Sequence, residues 1–129
     1  MDSFRFSSVA AAEAVHAKSH FELLEKVRST EENLKLSFEK ETFVNEVAYP
    51  AFLKQAWADE DKLSIWYFTK ARNAEERHAH LYKLALADMA SEKETKYFVC
   101  SYCGWVETMA RPEKCPNCGR APELYNEIQ

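Results

Sequence analysis

The chain has 129 residues, 47% of them hydrophobic and 29% charged, with a formal net charge of -4. That is the make-up of one ordinary globular domain, or one domain with a small appendix; no apolar run is long enough to cross a bilayer, and 17 basic against 21 acidic residues mark no nucleic-acid face. The opening Met1-Asp2-Ser3-Phe4-Arg5-Phe6 lacks the basic start and long apolar region of a secretory signal, so the expected setting is the cytoplasm, with neither membrane nor nucleic acid among the partners.

The first 99 residues hold no glycine and one proline, which predicts nearly continuous helix. A first helix is expected over roughly 4 to 28, where Phe6, Val9, Ala10, Ala17, His20 and Leu24 form one apolar stripe. Ser29-Thr30-Glu31-Glu32 is an N-cap signature and opens a second helix, roughly 31 to 57, whose stripe of Leu34, Phe38, Val44, Ala48 and Phe52 also carries Glu41. Pro50 lies inside it and should kink or split it. Asp59-Glu60-Asp61 opens a third helix, roughly 61 to 90, with a stripe of Phe68, Ala71, Ala79, Tyr82 and Leu86. Ser91-Glu92-Lys93-Glu94 reads as a polar linker, dividing a helical domain, 1–94, from a tail, 95–129, in which Pro112, Pro116 and Pro122 leave little room for helix.

Two features carry chemistry. The pattern Ala-Glu-x-x-His-Ala occurs at Ala12-Glu13-Ala14-Val15-His16-Ala17 and again at Ala74-Glu75-Glu76-Arg77-His78-Ala79; around it Phe6/Phe68 and Leu24/Leu86 also match, which reads as an internal duplication. A carboxylate and an imidazole three residues apart share a helical face, and two such motifs with a further Glu-bearing helix are the ligand types of a carboxylate-bridged di-iron bundle. Glu13, Glu75 and Glu41 each sit on an apolar stripe, where a carboxylate needs a partner such as a cation. His20 reads as a packed or solvated histidine and His80 as exposed. The second feature is the set Cys100, Cys103, Cys115 and Cys118, spaced C-x2-C-x11-C-x2-C, each pair followed by one of the chain's two glycines, Gly104 and Gly119. This is a four-thiolate metal site, for which iron and zinc are both suitable. Tyr97, Phe98, Trp105 and Tyr125 would pack around it.

The tail resembles a rubredoxin-like module, and the chain as a whole resembles the rubrerythrin family. The segment Phe4 to Leu24 is similar to that family's second helix, Glu32-Asn33-Leu34-Lys35 through Tyr49-Pro50-Ala51-Phe52 to its third, and Ala74-Glu75-x-x-His78-Ala79 to its fourth. The fold the resemblance implies is mainly α: a ferritin-like bundle, represented by three helices, with a small C-terminal rubredoxin-like knuckle. It further implies that Glu13 and Glu75 bridge two irons, that Glu41 is a terminal ligand, that His16 and His78 each cap one iron, and that Tyr49 lies close by. Two departures stand out. The family's first helix has no counterpart, and Val44 occupies the place of a second ligand on the third helix; Asn45 and Glu46 lie at other helical angles, so the family's redox-linked exchange of a carboxylate for a histidine does not carry over. The implied activity is NAD(P)H-linked peroxidase chemistry, reducing hydrogen peroxide (or oxygen) at a di-iron site with Glu13, Glu41 and Glu75 in catalytic roles. Electrons would pass from an external reductase through an iron held by the four cysteines. The competing expectations are a rubredoxin-type electron carrier and a zinc-knuckle protein. A three-helix bundle with an uncovered apolar face predicts a homodimer with helix exchange.

Overall fold

The computed structural model describes the backbone of residues 3–89 and 95–128 and the side chains from residue 7 onward. The expected linker at 91–94 lies outside the described residues. Two compact units divide the chain, Met1–Asn33 and Leu34–Gln129.

The first unit holds helix α1, Ser3–Leu23, and the start of α2, Thr30–Phe43. α1 stops short of residue 28 because Glu25 turns to a positive φ of 54°, and the Lys26 amide reaches back to the Phe21 carbonyl at 2.8 Å. That backward bond satisfies a carbonyl the ending helix leaves free. The cap read from Ser29 to Glu32 forms as a reciprocal box. The Glu32 carboxylate accepts from the Ser29 amide at 3.2 Å and hydroxyl at 2.7 Å, while Ser29 Oγ accepts from the Glu32 amide at 3.3 Å.

In the second unit the helix expected to run to residue 57 is interrupted. α2 passes into one π-helical stretch, Val44–Ala48, and resumes as α3, Tyr49–Ala58, with Pro50 in the first turn of α3. A proline amide cannot close an α-helical bond, and the wider π turn takes up the misfit. The widening also changes which side chain points inward. In a straight helix Asn45 would miss the inner face; here it is buried, donates from Nδ2 to the Arg72 carbonyl at 2.8 Å, and accepts on its own carbonyl from Arg72 Nε at 3.1 Å. Helix α4, Lys62–Ala87, is capped by Asp61, whose carboxylate accepts from the Leu63 and Ser64 amides and the Ser64 hydroxyl. Ala56, Ala74 and Ala79 are buried small residues that let α3 and α4 approach closely, and Tyr49, Phe52 and Phe68 fill the remaining space with ring centroids 5.7 to 6.2 Å apart.

The tail is a three-stranded antiparallel sheet in the order β2–β1–β3, from β1 Tyr97–Cys100, β2 Val106–Thr108 and β3 Tyr125–Ile128. Its core is Phe98, Cys100, Cys115 and Tyr125, with Tyr102, Cys103, Trp105 and Cys118 packed around them. α4 joins this knuckle through Arg77, which donates to the Val106 carbonyl at 2.9 Å and to Glu107 at 3.1 Å.

Candidate metal centres

The two Cys-x-x-Cys-Gly segments fold alike. In each, the glycine amide donates to the first cysteine's carbonyl, Gly104 to Cys100 at 2.9 Å and Gly119 to Cys115 at 2.8 Å. The first cysteine's amide donates five residues on, Cys100 to Trp105 and Cys115 to Arg120, both at 2.9 Å. The glycines have φ of 76° and 71°, a conformation other residues enter only with strain. The result brings all four sulfurs together, with Cys100 and Cys118 Sγ 3.8 Å apart and Cys103 and Cys115 Sγ 3.6 Å apart. A tetrahedral ion with metal–sulfur bonds of ~2.3 Å has sulfur–sulfur edges of about 3.8 Å, so the cluster has the dimensions of an iron or zinc tetrathiolate. Cys115 is drawn down to about 7: burial opposes this, but polar interactions with Tyr125 and with the Cys118 and Asn117 amides outweigh it. The Tyr125 hydroxyl is buried without a hydrogen-bond partner in good geometry, a donor left over beside the sulfurs that a metal-bound thiolate would use.

A second cluster lies on the helices. Ligand atoms of Glu41 from α2 and of Glu75 and His78 from α4 all fall within 4.8 Å of one another. His78 Nδ1 is 3.0 Å from Glu75 Oε2 and 3.9 Å from Glu41 Oε1. Its Nε2 lies 2.9 Å from the Gly104 carbonyl, which can only accept, so Nε2 donates to it and the ring is held with Nδ1 facing the carboxylates. Glu41 is pushed up to about 7, first by burial and then by its hydrogen bond to Glu75 and the charge of Glu75, with His78 partly offsetting. Burial and the charges of Glu75 and Glu41 also raise Tyr49. Two half-buried carboxylates brought side by side, next to an oriented imidazole, are a donor set that fits a divalent cation.

Glu13 and His16 form the same local pair as Glu75 and His78, with His16 Nδ1 at 3.3 Å from Glu13 Oε2, but both side chains are exposed and neither belongs to the three-ligand group. Val44 stands in the π stretch, Glu46 is exposed and His80 is exposed. Sequence reasoning missed the buried Asn45, the Gly104 carbonyl that orients His78, and the buried Asn117. Only a polar residue among the sulfur ligands signalled the last.

The chain is 27% identical over 134 residues to nigerythrin of Nitratidesulfovibrio vulgaris, covering 93% of this chain and 66% of nigerythrin. It is 29% identical over 131 residues to rubrerythrin-2 of Clostridium acetobutylicum, covering 88% of this chain and 71% of that protein. The chain is similar to the rubrerythrins. Solved structures agree: nigerythrin in a mixed-valent state superposes with a TM-score of 0.74 at 29% identity, covering 78% of this chain and 50% of the other. A partially reduced state of nigerythrin gives 0.75 at 27% identity, covering 95% and 68%. No protein-family model matches. The chain thus spans about half to seven-tenths of the relatives it matches. As in the rubrerythrin fold, it is mainly helical with a small rubredoxin-like sheet around four cysteines, and its two donor sets suit iron. Among the described residues, no helix is long and apolar enough to cross a membrane.

Proposed function

We propose that this rubrerythrin-like chain is a cytoplasmic non-haem iron oxidoreductase that reduces hydrogen peroxide to water, taking up two electrons and two protons for each peroxide. Glu41, Glu75 and His78 would hold iron on the helices, with Glu13 and His16 completing the set by the family's pattern, and the four cysteines would hold a single iron. A pair of adjacent ferrous ions supplies electrons and Lewis acidity to an O–O bond. The protein's own part is protonic and positional. Glu41, poised near 7, can hold a proton and release it within the site at neutral pH, and Tyr49 lies in the same electrostatic environment. The hydrogen bond from His78 Nε2 to the carbonyl of Gly104, the residue after Cys103, is the observation that carries the reading. It joins the helical cluster directly to the thiolate loop and offers a short path for electron relay from one to the other. An external reductase would feed the cysteines. The division into a helical domain, 1–94, and a knuckle, 95–129, and a homodimer with exchanged helices belong to the same proposal.

Metal analysis with visible spectroscopy on protein from iron-replete cells tests it. About three irons per chain are expected, two from the carboxylate set and one from the thiolates. Glu75→Ala should lose peroxidase turnover and helical-site iron while keeping the thiolate charge-transfer bands. Removal of a ligand should weaken metal binding by at least the ~10–100-fold that loss of an outer partner costs. One iron, with an unaltered rate of peroxide loss in Glu75→Ala, would leave an electron carrier. The sulfur spacing suits zinc equally, and one colourless zinc per chain would make the protein a zinc-knuckle module instead.

A further inference from the structure

The two thiolate loops are near copies, and they differ at the residue just before their second cysteine. That position is Tyr102 in the first loop and Asn117 in the second. Tyr102 turns away from the sulfurs: its hydroxyl lies 3.2 Å from that of Tyr67, and the Arg120 guanidinium stacks 4.1 Å over its ring. Asn117 turns inward. It is buried, and its amide nitrogen is 2.7 Å from the Lys70 carbonyl of α4 and 3.6 Å from Cys103 Sγ. Because the Lys70 carbonyl can only accept, it fixes which end of the amide is nitrogen, and the second amide proton is left for the sulfur. Asn117 Oδ1 is held in turn by Asn73 Nδ2 of α4 at 3.1 Å. One buried side chain is thus gripped by α4 at both ends while it donates to a metal-ligating sulfur of the opposite loop.

A tetrathiolate iron gains negative charge on reduction, and that charge spreads over its sulfurs. An N–H···S bond therefore strengthens in the reduced state and raises the reduction potential. Backbone amides supply such donors in both loops alike, since Cys103 and Cys118 interact with the Trp105 and Arg120 amides respectively. The Asn117 amide has no counterpart in the first loop. We infer that Asn117 is a positioning residue that raises the potential of the tetrathiolate iron through its bond to Cys103, and that α4 sets the strength of that bond through the Lys70 carbonyl and Asn73. The helix that carries Glu75 and His78 would thereby also adjust how readily the knuckle accepts an electron. This rests on the proposed iron occupancy of the cysteines and goes beyond it by naming what tunes the centre.

The test is a potentiometric titration of the full-length, iron-loaded protein, followed by its thiolate-to-iron bands. Asn117→Ala should keep one thiolate-bound iron and its spectrum but shift the potential to lower values. Asn117→Asp, which trades the donor for a charge, should shift it further down. Asn73→Ala, which leaves the metal loops untouched, should give a smaller shift of the same sign. An Asn117→Ala potential equal to or above wild type overturns the inference. Should that variant fail to fold, the same reading is taken from Asn73→Ala, and an unmoved value there overturns the role of α4. A wild-type protein whose cysteines take no iron overturns the functional reading and the inference together, whereas iron loading with an unmoved potential overturns the inference alone.

Discussion

Glu41 carries the clearest pH signature of any single residue. In the folded chain its pKa is about 7 against an ordinary value of 4.5, so the metal-free fold binds a proton that the unfolded chain releases over that interval. The sign follows: this group favours folding increasingly as pH falls from about 8 to 5, and the advantage is lost as pH rises through 7. Denaturant unfolding of metal-free protein should show that slope, and Glu41→Gln should flatten it. A cation must displace the same proton, so affinity of the helical site for ferrous ion should rise with pH up to about 7 and then level, as metal titration would record. Gly104 and Gly119 allow a second prediction. An added Cβ would meet nothing within 4 Å at either, so Gly104→Ala and Gly119→Ala should cost only the backbone strain of their positive φ, about 1 kcal/mol each, read as a lowered Tm. The glycines could be recognised in the sequence because each ends a Cys-x-x-Cys pair. The Glu41 environment could be anticipated only in outline, since the stripe placed an acid on an apolar face without saying that it would meet Glu75 there.

At the scale of elements, the break around Pro50 was legible, and its form was not. Proline forbids one hydrogen bond whatever surrounds it, but whether the helix kinks, stops or widens depends on what packs beside it. Here α4 offers the Arg72 carbonyl and guanidinium, and the π stretch presents Asn45 to both. Asn45→Ala should therefore cost about 0.5–1.5 kcal/mol by removing the part-buried bond to the Arg72 carbonyl, whereas Glu46→Ala, one residue on and exposed, should stay within ~0.5 kcal/mol in the same unfolding experiment. The ends of α1 and α2 divide in the same way. The Ser29–Glu32 box is a local pattern that closed as read, while the left-handed Glu25 that ends α1 early gave no glycine signal.

For the whole molecule, the buried core of the knuckle among the described residues is Phe98, Cys100, Cys115 and Tyr125, two of them candidate metal ligands. So small a core cannot offset the entropy of ordering three strands without the bonds a metal supplies. Strong chelation should thus abolish the near-ultraviolet dichroism of the knuckle aromatics while leaving most far-ultraviolet helical signal. Loss of both together would show that the Arg77 and Asn117 links make helix and knuckle one cooperative unit. Sizing across a concentration series tests the homodimer directly, and a monomer at every concentration removes helix exchange from the proposal.

By itself the sequence determined what local rules govern: helical stretches and their caps, the repeated Glu-x-x-His pair, and the four-cysteine framework with its glycines. Each depends on residues within a few positions of one another, where spacing dictates geometry. Tertiary structure alone decided which distant groups meet. It brought Glu41 to Glu75 and His78, set the Gly104 carbonyl against His78, and turned Asn117 between α4 and a sulfur of the opposite loop. Those contacts depend on how helices and loops pack, and no spacing along one element contains them.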